Sequence, residues 1–339
     1  THGYTDYLQG SYTDELWSRS NDQAAHDLLA GALDPDNVNR LLVNLNYWGT
    51  AYSNLRKINN FFEKSQNSPL SEEQRNKLTG ELKFLRAFIY ANLLWNYGGV
   101  PLITKVYQLN EDYSIPRNSY EECVEFIVKE LKEAQGMLPA KQPDNQTGRA
   151  SGDACKALIA RTLLYWASPL HNPGNDLQRW KDAADAAEKL IGTHYALQDD
   201  YEMVFMQDNN EIIFARQFTQ ANSTGLSVVN GRSGDSGHGN STPTQNMVNS
   251  YEMKATGKLP YREQSDGSYV LDPASGYDPQ QPYEGRDPRF YASVLYDGAV
   301  WMGRATEVFK GGRDHKDYTG GGGSAWLASE TGYYLRKFM

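Results

Sequence analysis

Ser71-Glu-Glu-Gln-Arg-Asn-Lys-Leu-Thr-Gly-Glu-Leu-Lys-Phe-Leu-Arg-Ala-Phe-Ile-Tyr-Ala-Asn-Leu-Leu-Trp-Asn-Tyr97, followed by Gly98-Gly-Val-Pro101, decides how the first half of the chain folds. Ser71-Glu-Glu-Gln74 is a capping box, a Ser at the N-cap with Gln three residues on. Leu78, Leu82, Leu85 and Ile89 then recur at helical spacing, and Phe84, Phe88, Ala91 and Leu94 form a second stripe beside them. Two stripes make a wide apolar arc, so the spacing predicts a central helix that runs to Tyr97. Gly98-Gly99 ends it and Pro101 prevents a restart.

The same texture extends to both sides. Residues 38–66 carry Leu41, Leu42, Leu45, Trp48, Tyr52, Leu55, Ile58 and Phe62 on one helical face. Ser119-Tyr-Glu-Glu122 is a second capping box, and Cys123, Ile127, Leu131, Ala134 and Leu138 follow it as one stripe. Ala154, Ala157, Leu158 and Leu164 mark a further helix. The loop Ser168-Pro-Leu-His-Asn-Pro-Gly174 breaks the chain, and Trp180, Ala183, Ala184, Ala187 and Leu190 mark the next helix. Helix, short loop and helix with Ala at the crossing points is a tetratricopeptide-like hairpin pattern, here irregular and without a clean 34-residue period.

Near residue 200 the texture changes. Glu211 to Phe218 reads as a short strand, 219–243 as a long Gly/Ser/Asn/Thr loop, and Pro243 to Tyr251 as a short helix. From 257 onward turn signals recur, with strand candidates at Phe290 to Tyr296 and Tyr333 to Phe338. The expectation is a mostly α protein. Residues 1–200 form an irregular tetratricopeptide-like scaffold, and residues 201–339 form a loop-rich region with short strands, in one integrated domain.

Composition excludes several classes. In 339 residues, 39% are hydrophobic and 22% charged, which suits a folded chain. A net charge of −9 argues against nucleic-acid binding. Two Cys rule out disulfide scaffolds and multi-cysteine zinc modules, and Cys123 and Cys155 read as free buried thiols. No run of 18 apolar residues and no apolar leader occurs, which reads as a cytosolic or a processed protein. No phosphate loop, dinucleotide fingerprint, zinc-protease motif or nucleophile elbow is present, and the six His are scattered without ligand spacing. Asp34-Pro-Asp36-Asn37 lacks the spacing of a calcium loop and reads as an Asx turn. The Asn-x-Ser/Thr matches at Asn145, Asn222 and Asn240 say only that these are surface loops. With 42 carboxylates, no pair stands out as a glycosidase couple. No catalytic residue, metal or cofactor is expected.

Six ordered motifs resemble the SusD/RagB family of surface nutrient-binding lipoproteins. They are Glu81 to Phe88 with Asn96 to Thr104; Ile115 to Glu122; Gly148-Arg-Ala150 leading into Ala157, Ala160 and Leu163-Leu-Tyr165; Pro243 to Val248 with Tyr251; Arg286-Asp-Pro-Arg-Phe-Tyr291; and Tyr333 to Phe338. The resemblance implies a SusD-like α-α superhelix carrying a loop-rich ligand face. It implies a place on the outer membrane, facing outward, through an N-terminal lipid anchor that this chain does not contain. Family members also run longer at both ends, so the resemblance marks this chain as truncated. The implied task is non-catalytic: binding an oligosaccharide and passing it to a SusC-like TonB-dependent transporter. Some members take peptides instead, and a glycoside hydrolase fragment is the remaining alternative.

The 23 Tyr and 7 Trp, many in polar loops, suit a surface that stacks on an amphipathic ligand, or serve as local cores. A sugar ring has an apolar C–H face and a hydroxyl rim, so its site needs Trp or Tyr beside planar polar groups. Tyr12 to Asp22 and residues 269–326 meet that need. The candidate ligand-binding residues are Trp17, Arg19, Tyr283 and Trp326. Trp48, Trp95, Trp166 and Trp180 lie at helix-periodic positions and read as core, and Arg86 and Arg289 as structural ion-pair residues.

Overall fold

A computed structural model describes residues 8–19, 23–32, 34, 47–219, 221–320, 327–337 and 339. The expected helix over 38–66 lies partly outside them. Among the described residues, the helices of seven residues or more are α1 (Gln23–Leu29), α2 (Trp48–Lys64), α3 (Glu72–Tyr97), α4 (Tyr120–Met137), α5 (Gly152–Ala167) and α6 (Leu177–Glu188). The strands are two or three residues long: β1 (Leu16–Ser18), β2 (Ser241–Pro243), β3 (Tyr261–Glu263), β4 (Tyr269–Leu271), β5 (Val294–Leu295), β6 (Val300–Trp301), β7 (Arg304–Ala305) and β8 (Tyr334–Leu335). They form four antiparallel pairs, β1–β2, β3–β4, β5–β8 and β6–β7. The regular structure is mostly α, as the periodicity indicates. No described helix is long and apolar enough to cross a membrane.

Two compact units result. One holds Asn46–Gln198 and Asn209–Gln217; the other holds Thr1–Leu45, Asp199–Asp208 and Phe218–Met339.

In the helical unit, α3 packs against α2, α4 and α5, and α5 packs against α6. Both capping boxes form with reciprocal bonds: Ser71 with Gln74 at the head of α3, and Ser119 with Glu122 at the head of α4. Phe84, Ala87, Tyr90, Leu93 and Leu94 of α3 are buried against Leu55, Ile127, Leu131, Ala134 and Leu158. Burying a large aliphatic or aromatic side chain in such a core stabilises by about 1.5–3 kcal/mol. Gly98 ends α3 at φ 71°, and a Cβ on Gly99 would lie 2.1 Å from the Asn118 carbonyl oxygen. Only glycine fits that approach.

The charged letters in Glu81 to Phe88 tie helices together. Arg86 is buried, with Nη2 2.7 Å from Glu130 Oε2 and Nη1 donating to Asn59 Oδ1 at 3.0 Å. Its guanidinium also lies 4.6 Å from the Phe62 ring centroid. Lys83 reaches Glu130 and Glu133, and Arg149 forks onto both oxygens of Glu81. Cys123 and Cys155 are free and buried, and burial pushes the Cys155 thiol up to about 12.

Two local expectations are corrected. Glu211 to Phe218 is not a strand; Phe214 stands edge-on to Phe84 at 5.0 Å, and Ile213 joins the same core. A single apolar segment with no neighbouring strand satisfies its side chains on helices instead. Phe290 to Tyr296 begins as the helix Pro288–Ser293, capped by Asp287 with Pro at its first position, and only Val294–Leu295 is strand. Trp180 also departs from the core reading: it is exposed and lines an open groove with Ala160, Leu164, Tyr165 and Ala187.

The loop-rich unit is held differently. Its apolar clusters are small: Val248, Phe290, Val294 and Tyr333 in one, and Leu295, Ala299 and Tyr334 in the other. Buried and half-buried arginines supply the rest. Arg286 donates to the carbonyls of Val248, Tyr251 and Pro282 at 2.6, 2.9 and 2.9 Å. Arg304 bridges Asp235 and both oxygens of Asp314, while Arg232 holds Asp235, Thr306 and the Trp301 carbonyl. Tyr334, fully buried, joins Ser233, the Asp314 carbonyl and the Ser329 N–H through its hydroxyl.

Candidate functional site

The β1–β2 ribbon pairs Leu16 with Pro243, Trp17 with Thr242 and Ser18 with Ser241. A strand alternates its faces, so Leu16 and Ser18 turn one way and Trp17 the other. Ser18 is buried and Trp17 is exposed. Leu16 lines an apolar cavity of about 420 Å³ with Tyr201, Met247, Tyr251 and Leu335.

Trp17 is held in place and keeps 36% of its surface exposed. Its Nε1 donates to Glu330 Oε2 at 2.7 Å, and its ring meets the His26 imidazole edge-on at 5.0 Å. Glu330 sits in a turn that Ser329 Oγ fixes by accepting the Thr331 and Gly332 N–H groups, each at 3.1 Å. Thr331 in turn reaches Thr242 on β2, Oγ1 to Oγ1 at 3.2 Å. An indole, an imidazole and a carboxylate therefore share one ledge. A carboxylate offers about four lone-pair sites, and the Trp17 N–H takes one. The arrangement can cover an apolar ring face and accept hydrogen bonds from hydroxyl groups at its rim.

Arg19 lies one residue beyond β1 and is buried. Its backbone N–H donates to the Asn240 carbonyl at 2.9 Å, and its Nη1 donates to the His238 carbonyl at 2.9 Å and to Asn240 Oδ1 at 3.3 Å. The guanidinium thus holds residues 238–240 against β1. Tyr283 is half-buried, 4.3 Å from Tyr296 at a tilt of 31°, stacked on Phe290 at 6.3 Å and edge-on to Tyr333. Trp326 lies outside the described residues, as do Asp36 and Asn37 of the Asx-turn reading. Of the four candidates, the ledge contains Trp17, with Arg19 directly behind its strand.

Glu330 and His26 escaped the sequence reading. Glu330 is 313 positions from Trp17, and nothing in spacing or composition joins two such residues. Among the described residues, no group of three His, Cys, Asp or Glu could hold a metal ion.

Arg86 and Arg289 are ion-paired as expected, Arg289 with Asp287 at 2.6 Å. The buried members of the Arg286 to Tyr291 motif are Phe290 and Arg286, and the role of Arg286 had no signal in the spacing.

Two family models match the chain. One, for SusD-like proteins described as starch-binding and associating with the outer membrane, matches residues 4–164; the other, for the SusD family, matches residues 202–339. The chain belongs to the SusD/RagB family. A SusD-like protein from Bacteroides fragilis NCTC 9343 has a solved structure that is 26% identical, with a TM-score of 0.75 over 98% of this chain and 65% of its own. A SusD-like carbohydrate-binding protein from the same strain is 27% identical, with a TM-score of 0.75 over 97% of this chain and 60% of its own. SusD-like protein P25 of Formosa agariphila is 26% identical over 158 residues, which are 45% of this chain and 28% of that protein. The chain thus spans less than two thirds of the length of each relative. The SusD/RagB hallmarks Glu81 to Phe88 and Arg286 to Tyr291 fall on the interhelical ion pairs and the buried Arg286 clamp, so both contribute to the scaffold.

Proposed function

We propose that this chain binds oligosaccharide at the outer face of the outer membrane, leaves it uncut, and passes it to a SusC-like TonB-dependent transporter. The membrane attachment would come from a lipid anchor outside these residues. The observation that carries the reading is the Trp17–Glu330 ledge: an exposed indole with its N–H on a carboxylate, on a backbone fixed from both sides. Trp17 covers the apolar face of a sugar ring and Glu330 accepts from its hydroxyls. Arg19 positions the strand, Tyr283 supports the aromatic cluster, and Trp326 supplies a second ring. Family membership and the solved carbohydrate-binding relative support the ligand class.

Retention of the protein in native gels cast with amylopectin, laminarin or xyloglucan tests the reading, with chromatography of the glycans afterwards. Retardation with unchanged glycan length is the expected outcome. Shortened products would overturn the non-catalytic assignment. Binding confined to a casein peptide digest would replace the ligand with a peptide, as in RagB-like members of the family.

A further inference from the structure

We propose that the loop 105–114 of the helical unit is a second, independent carbohydrate contact, built on the Tyr107–Tyr113 pair; the ligand class rests on the function proposed above. The two rings lie 5.7 Å apart at a tilt of 36°, with Tyr113 exposed at 55% and Leu109 at the loop's tip at 99%. An exposed tyrosine with no burial to gain is a stacking surface in waiting, provided that its backbone is fixed.

The backbone is fixed from below by α2. Arg56 Nη1 donates to the Tyr107 carbonyl at 3.1 Å, and Asn59 Nδ2 donates to the carbonyls of Ile103 and Lys105 at 3.0 and 3.2 Å. Glu63 Oε1 accepts the Val106 N–H at 2.8 Å. Three side chains on consecutive turns of one helix thus grip this one loop. The loop also holds itself: the Tyr113 hydroxyl donates to the Gln108 carbonyl at 2.7 Å, and Glu111 Oε2 accepts the Gln108 N–H at 3.2 Å. Lys105 Nζ lies 4.4 Å from the Tyr107 ring centroid and 3.2 Å from Glu111 Oε1. Such pre-ordering removes most of the entropy that a flexible loop would lose on binding.

The groups around the rings match a pyranose. Tyr113 offers a flat face, and Gln108, Asn110, Glu111 and Asp112 in the same loop carry planar amides and carboxylates for hydroxyl groups. A protein partner would instead be gripped through Leu109, whose side chain adds nothing to a sugar.

Titration calorimetry of the 339-residue chain against oligosaccharides of whichever of amylopectin, laminarin and xyloglucan retards it tests the proposal. Tyr113→Ala and Tyr113→Leu should each weaken binding about three- to tenfold, because Leu keeps the bulk and loses the flat face. Tyr113→Phe should stay within about twofold, and Leu109→Ser should change nothing. Wild-type binding that Tyr113→Ala and Tyr113→Leu leave intact overturns the second contact and leaves the Trp17 reading standing. Loss on Leu109→Ser but not on Tyr113→Leu would place the glycan contact on the aliphatic tip and also overturns the tyrosine pair. A chain that binds none of the glycans overturns both proposals.

Discussion

The two units of this chain solve the same problem with different materials. The helical unit hides its backbone polar groups inside α2–α6 and joins the helices through one continuous apolar core. The loop-rich unit has strands of two or three residues and two small apolar clusters. Its many irregular carbonyls need partners, and buried Arg286 and Arg232, with half-buried Arg304, supply them. Where regular structure is scarce, side-chain donors take over the work of helix and sheet ladders.

The contrast breaks most visibly at the largest substitutions. Phe84→Ala should destabilise the helical unit by about 3–5 kcal/mol, through lost burial and the cavity left beside Phe88 and Phe214. Thermal or urea unfolding reads this directly. Arg286→Met keeps bulk in the other unit but strands three carbonyls, and about 2–3 kcal/mol is expected from that. If Arg286→Met unfolds no more readily than a surface change, the loop-rich unit does not rest on its clamps. Tyr334→Phe removes one hydroxyl that joins Ser233, Asp314 and Ser329, and about 1–2 kcal/mol should follow.

Acid sharpens the comparison further, because each unit holds a clamped carboxylate. Burial raises the Asp153 carboxyl, but bonds from Lys156 and His194 outweigh it and leave the group below its ordinary value. Burial likewise raises Asp235, and Arg304 and Arg232 more than offset it. A carboxylate whose pKa is depressed by folding stabilises above its unfolded value, near about 3.9, and that contribution fades as pH falls through the folded value. Stability should therefore decline below about pH 4. Region-resolved hydrogen exchange should show that Asp153→Asn flattens the decline in the helical unit and Asp235→Asn flattens it in the loop-rich one. An unchanged acid limb in both variants would remove these carboxylates from the account.

Legibility follows the same division. Two capping boxes, the α3 stripes and Gly98 were readable because helix signals are local, spanning a few residues. The helix at Pro288 carried a local signal too, Asp then Pro, but the β-branched and aromatic residues after it read as strand. Arg19 looked like a ligand residue because its partners, His238 and Asn240, lie more than 200 positions away. Glu330 was invisible for the same reason. Ledges and clamps made between distant loops leave no period in the sequence.

The central claim is that Trp17 is exposed for binding and not for folding. Trp17→Ala removes the bond to Glu330 and the His26 ring contact from a side chain that is 36% exposed, so unfolding should shift by about 1–3 kcal/mol. Calorimetric titration of wild type and Trp17→Ala with the oligosaccharide that retards the wild type decides the matter. Micromolar to millimolar affinity in the wild type, about −8 to −4 kcal/mol, falling at least about tenfold in the variant at a temperature where both proteins are folded, is the expected result. Equal affinity in both proteins would contradict the Trp17–Glu330 ledge as the binding site.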